Sequence, residues 1–247
     1  MKKGLILLMS TVVAWGSSNK VNPNRWFLEM EAGPVWQSSN EVKIPGTTGT
    51  KFSLKDFGGG PFLSGRIYGG YRWTDRSEFR ALFAPLTLKG SRNLSAPIDF
   101  QNSTFTPGTD THSIYKFNSY RLTYRYRLVD SDKWIFWIGF TGKIRDATVA
   151  LEQGTISAEK KSVGFVPLLH FRLLYRVGPE WLLDLDGDAL VAPQGRAEDV
   201  VVRINYQLNP EITVNVGYRL LEGGADNSRV YTFSFLHYLV AGMRIEL

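Results

Sequence analysis

Apolar and polar residues alternate along most of this chain. In the segment 118–128, for example, Tyr120 and Leu122 alternate with Arg121 and Thr123. A period of two places successive side chains on opposite faces of a strand. The pattern therefore predicts β-strands that each have one apolar face and one polar face.

Ten segments carry this pattern, and the connections between them alternate in length. The segments are 26–32, 61–73, 78–89, 118–128, 133–145, 169–176, 181–191, 200–208, 212–220 and 230–247. The tight connections lie near 74–77, 129–132, 178–180 and 208–211, and the long polar ones near 38–59, 91–112 and 152–160, with shorter ones at 192–197 and 222–229 on the same side. An even strand number, with short turns at one end and longer loops at the other, predicts an all-β, ten-stranded antiparallel up-and-down transmembrane β-barrel. Pro85 breaks the phase of the third segment, which predicts a bulge or the rim of a sheet there.

Alternation alone does not decide which face of the barrel meets lipid. A soluble barrel would turn its apolar face inward around a ligand. However, several strands are longer than soluble sheets need and match the roughly 10 residues required to cross a bilayer at a tilt. Trp26, Trp73, Trp134 and Trp181 all fall at the turn-side ends of strands on the apolar face, as in an interfacial aromatic girdle. The chain also stops inside a strand, at Leu247. These features favour the membrane barrel.

The N-terminus has the features of an export signal. Two lysines are followed by an uncharged apolar run from Gly4 to Trp15, and Ala14 and Gly16 supply the small residues of a cleavage site. A run of about a dozen residues is shorter than the ~20 that a spanning helix needs. We predict a signal peptide over residues 1–16 and one barrel domain over 17–247.

Composition narrows the possible chemistry. The 247 residues include no Cys, which excludes a disulfide scaffold and a thiolate metal site. The net charge of +6 is spread along the chain, so no nucleic-acid partner is expected. Three histidines without metal-ligand spacing, and glycines that precede a strand and not a helix, lead us to expect no metal and no cofactor.

Arginine dominates the polar face, which becomes the lumen if lipid covers the other face. Twelve of the seventeen arginines project inward by phase. Barrels of about eight strands are just filled by side chains, so a ten-stranded lumen is narrow. Buried charges persist only when paired, which predicts a salt-bridged interior and no wide pore. The predicted polar network comprises Arg121, Arg125, Arg145, Arg172, Asp184, Asp186, Asp188, Arg203 and Arg219.

The segment Tyr115–Tyr126, Tyr-Lys-Phe-Asn-Ser-Tyr-Arg-Leu-Thr-Tyr-Arg-Tyr, resembles strands of small Gram-negative outer-membrane β-barrel proteins, and the resemblance extends over the whole chain. It implies a location in the bacterial outer membrane and, as partners, the lipid bilayer, lipopolysaccharide and the barrel-assembly machinery. A monomer is expected. The final residue, Leu247, departs from the aromatic residue that such proteins usually carry there.

Within that class, the ten-stranded omptin proteases use an Asp-x-Asp pair and an Asp-x-His pair to activate a water. This chain is similar in having Asp186 and Asp188 on a strand, and Asp110 and His112 at the mouth of the second long loop. The pairs occur in the opposite chain order, and Asp186 and Asp188 are more simply partners of lumen arginines. They are weak candidates, and no catalytic residue is assigned.

Three functions stay open. The first is a non-enzymatic barrel whose loops 38–59 and 91–112 contact the exterior or envelope partners. The second is an enzyme, either an omptin-like protease or a lipid-modifying enzyme. For the latter, His237 falls on the lipid face but the sequence shows no serine beside it, and we expect a local bulge that turns it inward. The third is a narrow, anion-preferring channel. His170, on the inward face, is expected to be structural.

Overall fold

The computed structural model describes residues 25–192 and 195–247. The predicted signal peptide, 1–16, lies outside the described residues. The strands are β1 (Trp26–Lys43), β2 (Phe52–Ser53), β3 (Phe62–Thr74), β4 (Ser77–Ala84), β5 (Thr87–Asn93), β6 (Ile98–Phe100), β7 (Ser103–Phe105), β8 (Asp110–Asp130), β9 (Trp134–Gln153), β10 (Ile156–Arg176), β11 (Trp181–Ala192), β12 (Gly195–Gln207), β13 (Ile212–Asp226) and β14 (Tyr231–Glu246), with one 3-10 helix at Leu54–Phe57. Among the described residues, no helix has the length and apolar character to span a bilayer.

All of these strands except β6 and β7 form one closed antiparallel sheet, in which each long strand pairs with its neighbours in the chain and β14 pairs with β1. β6 and β7 form a separate hairpin. β4 and β5 both pair with β8, so together they make one barrel strand with a break at Pro85 and Leu86. Proline has no N–H for the ladder, which explains the break at the predicted position. The predicted ten-stranded up-and-down barrel is confirmed.

The two ends of the barrel differ as the loop lengths predict, with one correction. Strands are joined by short turns at the end that carries Trp26, whereas residues 44–61 and 94–109 form long connections at the opposite, outer end. The long loop expected near 152–160 is wrong: β9 runs to Gln153 and β10 begins at Ile156. Both faces are polar or small there, because these strands continue beyond the apolar belt. The alternation that identifies a strand is therefore lost.

An apolar belt covers the outside of the barrel. Phe140 and Val163 are 69% and 71% exposed, and Trp26 is 60% exposed. At the short-turn end, three tryptophans each contact a tyrosine on the neighbouring barrel strand in a tilted arrangement, with ring centroids 4.5–4.6 Å apart: Trp26–Tyr71, Trp134–Tyr175 and Trp181–Tyr206. Such aromatic rings mark a membrane interface. The apolar face therefore meets lipid, and the soluble barrel with an apolar interior is excluded.

The interior has two layers. Charged side chains fill the middle of the lumen; we call this the ionic layer, formed by Glu29, Glu31, Arg66, Glu78, Arg80, Arg121, Arg125, Arg172, Asp184, Asp186, Asp188, Asp199, Arg203 and Arg219. Toward the outer end lies an apolar layer, in which Leu54, Phe57, Leu94, Ile98, Phe100 and Phe105 of the long connections pack against Tyr115, Val149, Leu151 and Leu236 of the wall. Phe100 and Phe105 are fully buried. The long connections therefore fold inward and fill the outer mouth.

The barrel wall is incomplete at two places among the described strands. One lies between β5 and the outer part of β3, because β5 pairs with β8 alone. The other lies between β10 and β11. The β10–β11 ladder ends at the pair Leu169–Ala189, although β10 continues outward to Ile156. Residues 156–168 of β10 thus form a ladder with β9 alone among the described strands. Pro167, which cannot donate a ladder hydrogen bond, lies two residues beyond the last pair. We call this interruption the notch.

Candidate functional site

Asp199 is a centre of the ionic layer. Its Oδ2 accepts hydrogen bonds from Arg66 Nη2 at 2.6 Å and Arg121 Nη2 at 2.5 Å, and its Oδ1 accepts one from Arg219 Nη1 at 2.6 Å. Arg219 also forms a two-pronged contact with Glu31, at 2.9 and 2.8 Å. Strands β3, β8, β12, β13 and β1 are thereby tied together across the lumen.

A second group gathers around Asp184 and Asp186. Arg172 donates to both oxygens of Asp184, at 2.9 and 2.8 Å, and Arg80 donates to both oxygens of Asp186, at 2.7 and 3.1 Å. Arg203 connects Asp184, at 2.8 Å, to Glu29, at 2.6 Å. The two-pronged geometry holds each guanidinium in one orientation.

Asp188 joins the two groups. It accepts hydrogen bonds from Arg121 at 2.7 Å and Thr141 at 2.7 Å, and lies 2.9 Å from His170 Nδ1. Nearby, Arg125 donates to Glu78 at 2.7 Å. Every carboxylate in this layer faces at least one arginine, so the chemistry that the layer supports is charge neutralisation. His170 fits the structural role expected of it, since its ring is buried against Asp188.

One member of the predicted network lies elsewhere. Arg145 contacts Ser162 Oγ at 3.1 Å, and no carboxylate lies within 4 Å of it among the described residues. It lies two residues from Lys143 on β9, outward of the acidic cluster. The alternation along β9 places Arg145 on the inward face. Alternation does not indicate, however, which carboxylates lie at the same level along the barrel axis.

The two pairs that resemble the omptin motifs are far apart. Asp110 and His112 lie at the outer end of β8, 3.8 Å from each other with both side chains more than half exposed. Asp188 is held by Arg121, nine residues further along the same strand. Nine residues of extended strand span about 30 Å. The structure therefore does not bring these pairs together around one water, and Asp186 and Asp188 are buried among arginines.

The expected inward turn of His237 is wrong. His237 stays on the outer face, where its Nδ1 lies 2.5 Å from Tyr218 Oη and its Nε2 lies 2.8 Å from Ser38 Oγ. The bulge falls on the paired strand instead, between Gln37 and Ser39 of β1, and it brings Ser38 beside the histidine. Sequence reasoning missed this serine because the partner is 199 residues away.

Comparison with solved structures places the fold. The outer membrane protease OmpT from Escherichia coli matches with a TM-score of 0.50 and 13% identity, covering 92% of this chain and 98% of that one. Neisserial surface protein A matches with a TM-score of 0.40 and 13% identity, covering 90% and 97%. Ail of Yersinia pestis, in complex with the heparin analogue sucrose octasulfate, matches with a TM-score of 0.43 and 8% identity, covering 90% and 99%. At these identities the likeness concerns the fold alone. No protein-family model and no curated protein matches the chain.

The closed barrel, its apolar belt and the likeness to OmpT define the class: this is a small outer-membrane β-barrel protein. It is located in the outer membrane of a bacterium. In this chain, arginines and carboxylates are buried in the lumen, and apolar residues of the long connections are buried at the outer mouth.

Proposed function

We propose that this protein is a non-enzymatic, non-conducting barrel that acts through its outer face. The observation that supports this most directly is that the lumen is occupied at two heights. The ionic layer leaves a void of about 10 Å³ among Arg80, Arg121 and Asp186, roughly the space of one water molecule. Above it, Phe100 and Phe105 occupy the mouth.

This filling argues against the anion-preferring channel. Charge rings set selectivity only where water passes. Here the arginines that would attract anions are already neutralised: Arg203 and Arg219, for example, each contact two or more carboxylates. A permeating anion would have to replace those carboxylates, which is unfavourable because it leaves buried charges without partners.

The outer connections supply the surface for contact with the exterior or envelope partners. Their apolar residues point into the mouth, while polar groups such as Asp99 and Thr104 of the β6–β7 hairpin hydrogen-bond each other at 2.7 Å on the exposed side. The connections are thus anchored from below and present a shaped polar face. This arrangement supports the proposal that the long loops contact the exterior or envelope partners.

Planar-bilayer recording tests the proposal. We expect the purified full-length protein to show no stable conductance steps. A variant in which residues 95–108 are replaced by a short turn removes Ile98, Phe100 and Phe105 from the apolar layer but leaves the ionic layer, and it should also be silent. Steps from the wild-type protein would contradict the proposal. Steps from the variant alone would show that the loop, and not the ionic layer, closes the lumen.

One observation favours a second candidate, a lipid-modifying enzyme. Ser38, His237 and Tyr218 form the order nucleophile, base and orienting group on the lipid-facing surface. However, Ser38 Oγ also donates to the carbonyl of Phe235 at 3.1 Å. The contacts among Ser38, His237 and Tyr218 are therefore equally explained as a chain of hydrogen bonds with a purely structural role. Labelling with a lipophilic fluorophosphonate decides between them. If the protein is an enzyme of this kind, the reagent should label the wild type, and Ser38→Ala should abolish that labelling. Ser39→Ala, at the neighbouring serine, is the matched control and should leave the labelling intact.

A further inference from the structure

A cavity of about 330 Å³ lies in the outer part of the lumen, beside the notch. We call it the side cavity. Its wall includes Phe165 and Pro167, which belong to the outward face of β10, together with the inward-facing Lys143 and Arg145 of β9. The cavity is thus bounded by residues of both faces of the wall at the place where β11 forms no ladder with β10 beyond Leu169. We infer from this position that the cavity opens through the notch.

The notch opens toward lipid. Val163 and Phe165 on β10 are 71% and 67% exposed, and Val191 on β11 is 74% exposed. These side chains belong to the outer part of the apolar belt and flank the gap on both sides. A molecule that reaches the side cavity by this route comes from the outer leaflet.

The side cavity holds a buried cation without a counter-ion. Lys143 is 5% exposed, and within residues 25–192 and 195–247 no carboxylate lies within 4 Å of its Nζ. Its recorded contact is with the face of the Phe117 ring, 4.9 Å from the centroid. A buried ammonium without a paired anion is costly. Every arginine of the ionic layer is paired with a carboxylate, so a buried ammonium without a paired carboxylate points to a ligand.

Other charges around the side cavity have the same sign. Arg145 has a hydrogen bond to Ser162 but leaves its buried Nε without a partner, and Lys160 forms no ion pair among the described residues. Arg196 is paired with Glu222, the one carboxylate of the lining. Lys143, Arg145 and Lys160 therefore remain available to an anion.

Much of the remaining lining is apolar and includes Phe117, Val149, Phe165, Val166 and Leu190. The uncharged polar residues of the lining include Asn40, Thr148, Ser162, Thr232 and Ser234. An inorganic anion would satisfy the cations but leave the apolar surface in contact with water. A molecule with an acidic head and an apolar tail satisfies both parts.

We propose that the side cavity binds a single-chain anionic amphiphile, of the fatty-acid type, whose head group contacts Lys143 and Arg145 and whose chain lies along Phe165 and Val166 toward the notch. A volume of about 330 Å³ is at the small end of the ~300–1,000 Å³ range of ligand pockets. It admits one chain and a small head group and excludes a whole multi-chain lipid. This inference goes beyond the proposed non-conducting role and does not depend on it.

Photoaffinity labelling tests the inference. The full-length barrel is placed in nanodiscs of zwitterionic phosphatidylcholine and exposed to a decanoic acid that carries a diazirine on its chain. We expect saturable labelling of the peptide that contains Phe165–Pro167, with competition by decanoate. Decanol, which has the same chain without the charge, and inorganic phosphate, which has charge without the chain, should compete at least tenfold less well.

Matched variants locate the head group. Lys143→Gln should weaken labelling about tenfold or more, as expected when one charge-assisted hydrogen bond is lost. Lys161→Gln is the control, because Lys161 pairs with Glu159 and does not line the side cavity. Since Lys143 has no ion-pair partner in the part of the chain that the structure describes, its replacement should not impair folding. Ala147→Phe, which places a ring in the side cavity with the cations intact, should also abolish labelling.

Three outcomes would overturn the inference. Equal labelling of the wild type and Lys143→Gln would show that the charge recognises nothing. Equal competition by decanol would show that the site binds apolar chains without recognising the acidic head group. Competition by phosphate as strong as by decanoate would identify a site for a free anion, without a role for the notch.

Discussion

Asp199→Asn is the sharpest test of the ionic layer, because it changes a charge and hardly alters shape. Asp199 is 3% exposed and accepts from three guanidiniums. Arg121 and Arg219 keep other carboxylates, Asp188 at 2.7 Å and Glu31 at 2.8 Å. Arg66 does not: Asp199 is its recorded carboxylate partner, and its other contact is Tyr68 Oη at 3.4 Å.

The magnitude follows from Arg66. With Asn at 199, one guanidinium that is 6% exposed loses its counter-ion. Leaving one member of a buried pair uncompensated costs about 3–5 kcal/mol. With urea m-values of ~1–3 kcal/mol per molar, the unfolding midpoint should fall by about 1 M or more.

Asp130→Asn is the matched control. Asp130 also faces two arginines, Arg127 at 3.0 Å and Arg176 at 3.3 Å, but it is the last residue of β8 and its side chain is 38% exposed. Exposed pairs contribute less than about 1 kcal/mol. The double variant Arg66→Met with Asp199→Asn removes both charges and should recover much of the loss.

Urea unfolding in lipid vesicles, followed by the faster gel migration of the folded form, measures all three variants. Equal midpoints for Asp199→Asn and Asp130→Asn would refute the argument that burial makes the lumen pairs matter. A double variant less stable than Asp199→Asn alone would refute the assignment of the loss to Arg66.

Two further predictions concern the belt and the mouth. Phe140→Arg, in the middle of the β9 belt, should lower the free energy of unfolding in lipid by about 2–4 kcal/mol, whereas Val163→Arg at the outer boundary should cost at most ~1 kcal/mol; equal losses in the same urea assay would argue against this membrane placement. Phe100→Ala removes a fully buried ring from the mouth, with a packing cost of about 3–5 kcal/mol. Phe100→Ala should speed proteinase K cleavage within residues 94–109 while the barrel stays folded. The control is Phe83→Ala at a lipid-facing position, which should not change the cleavage rate. Unchanged cleavage of Phe100→Ala would mean that Phe100 does not anchor the loop.

Most of the barrel could be predicted from the sequence because alternation is a local property. The side chains of Tyr120 and Leu122 share a face whatever the strand pairs with. The break at Pro85 is equally local, since it follows from one missing N–H. Prediction failed at 152–160, where β9 and β10 extend beyond the apolar belt and both faces turn polar.

The contacts within the candidate sites could not be predicted from the sequence, because they depend on how the strands are aligned with one another. The strand phase places Arg145 and Arg121 on the same face, but one contacts Ser162 and the other Asp188 and Asp199. The position of a side chain along the barrel axis depends on the register between its strand and the neighbouring strands. The sequence of one strand does not determine that register. Ser38 and His237 illustrate the same limit, because a bulge in β1 brings them together.

The sequence by itself determined that this chain has ten alternating strands, an apolar outside and a basic inside, because each property depends on residues close together in the chain. Only the tertiary structure decided which charges meet, that the loops fill the mouth, and that the wall is interrupted beside Lys143. Those features arise from closure, which brings the first and last strands together and fixes the register of every strand between them.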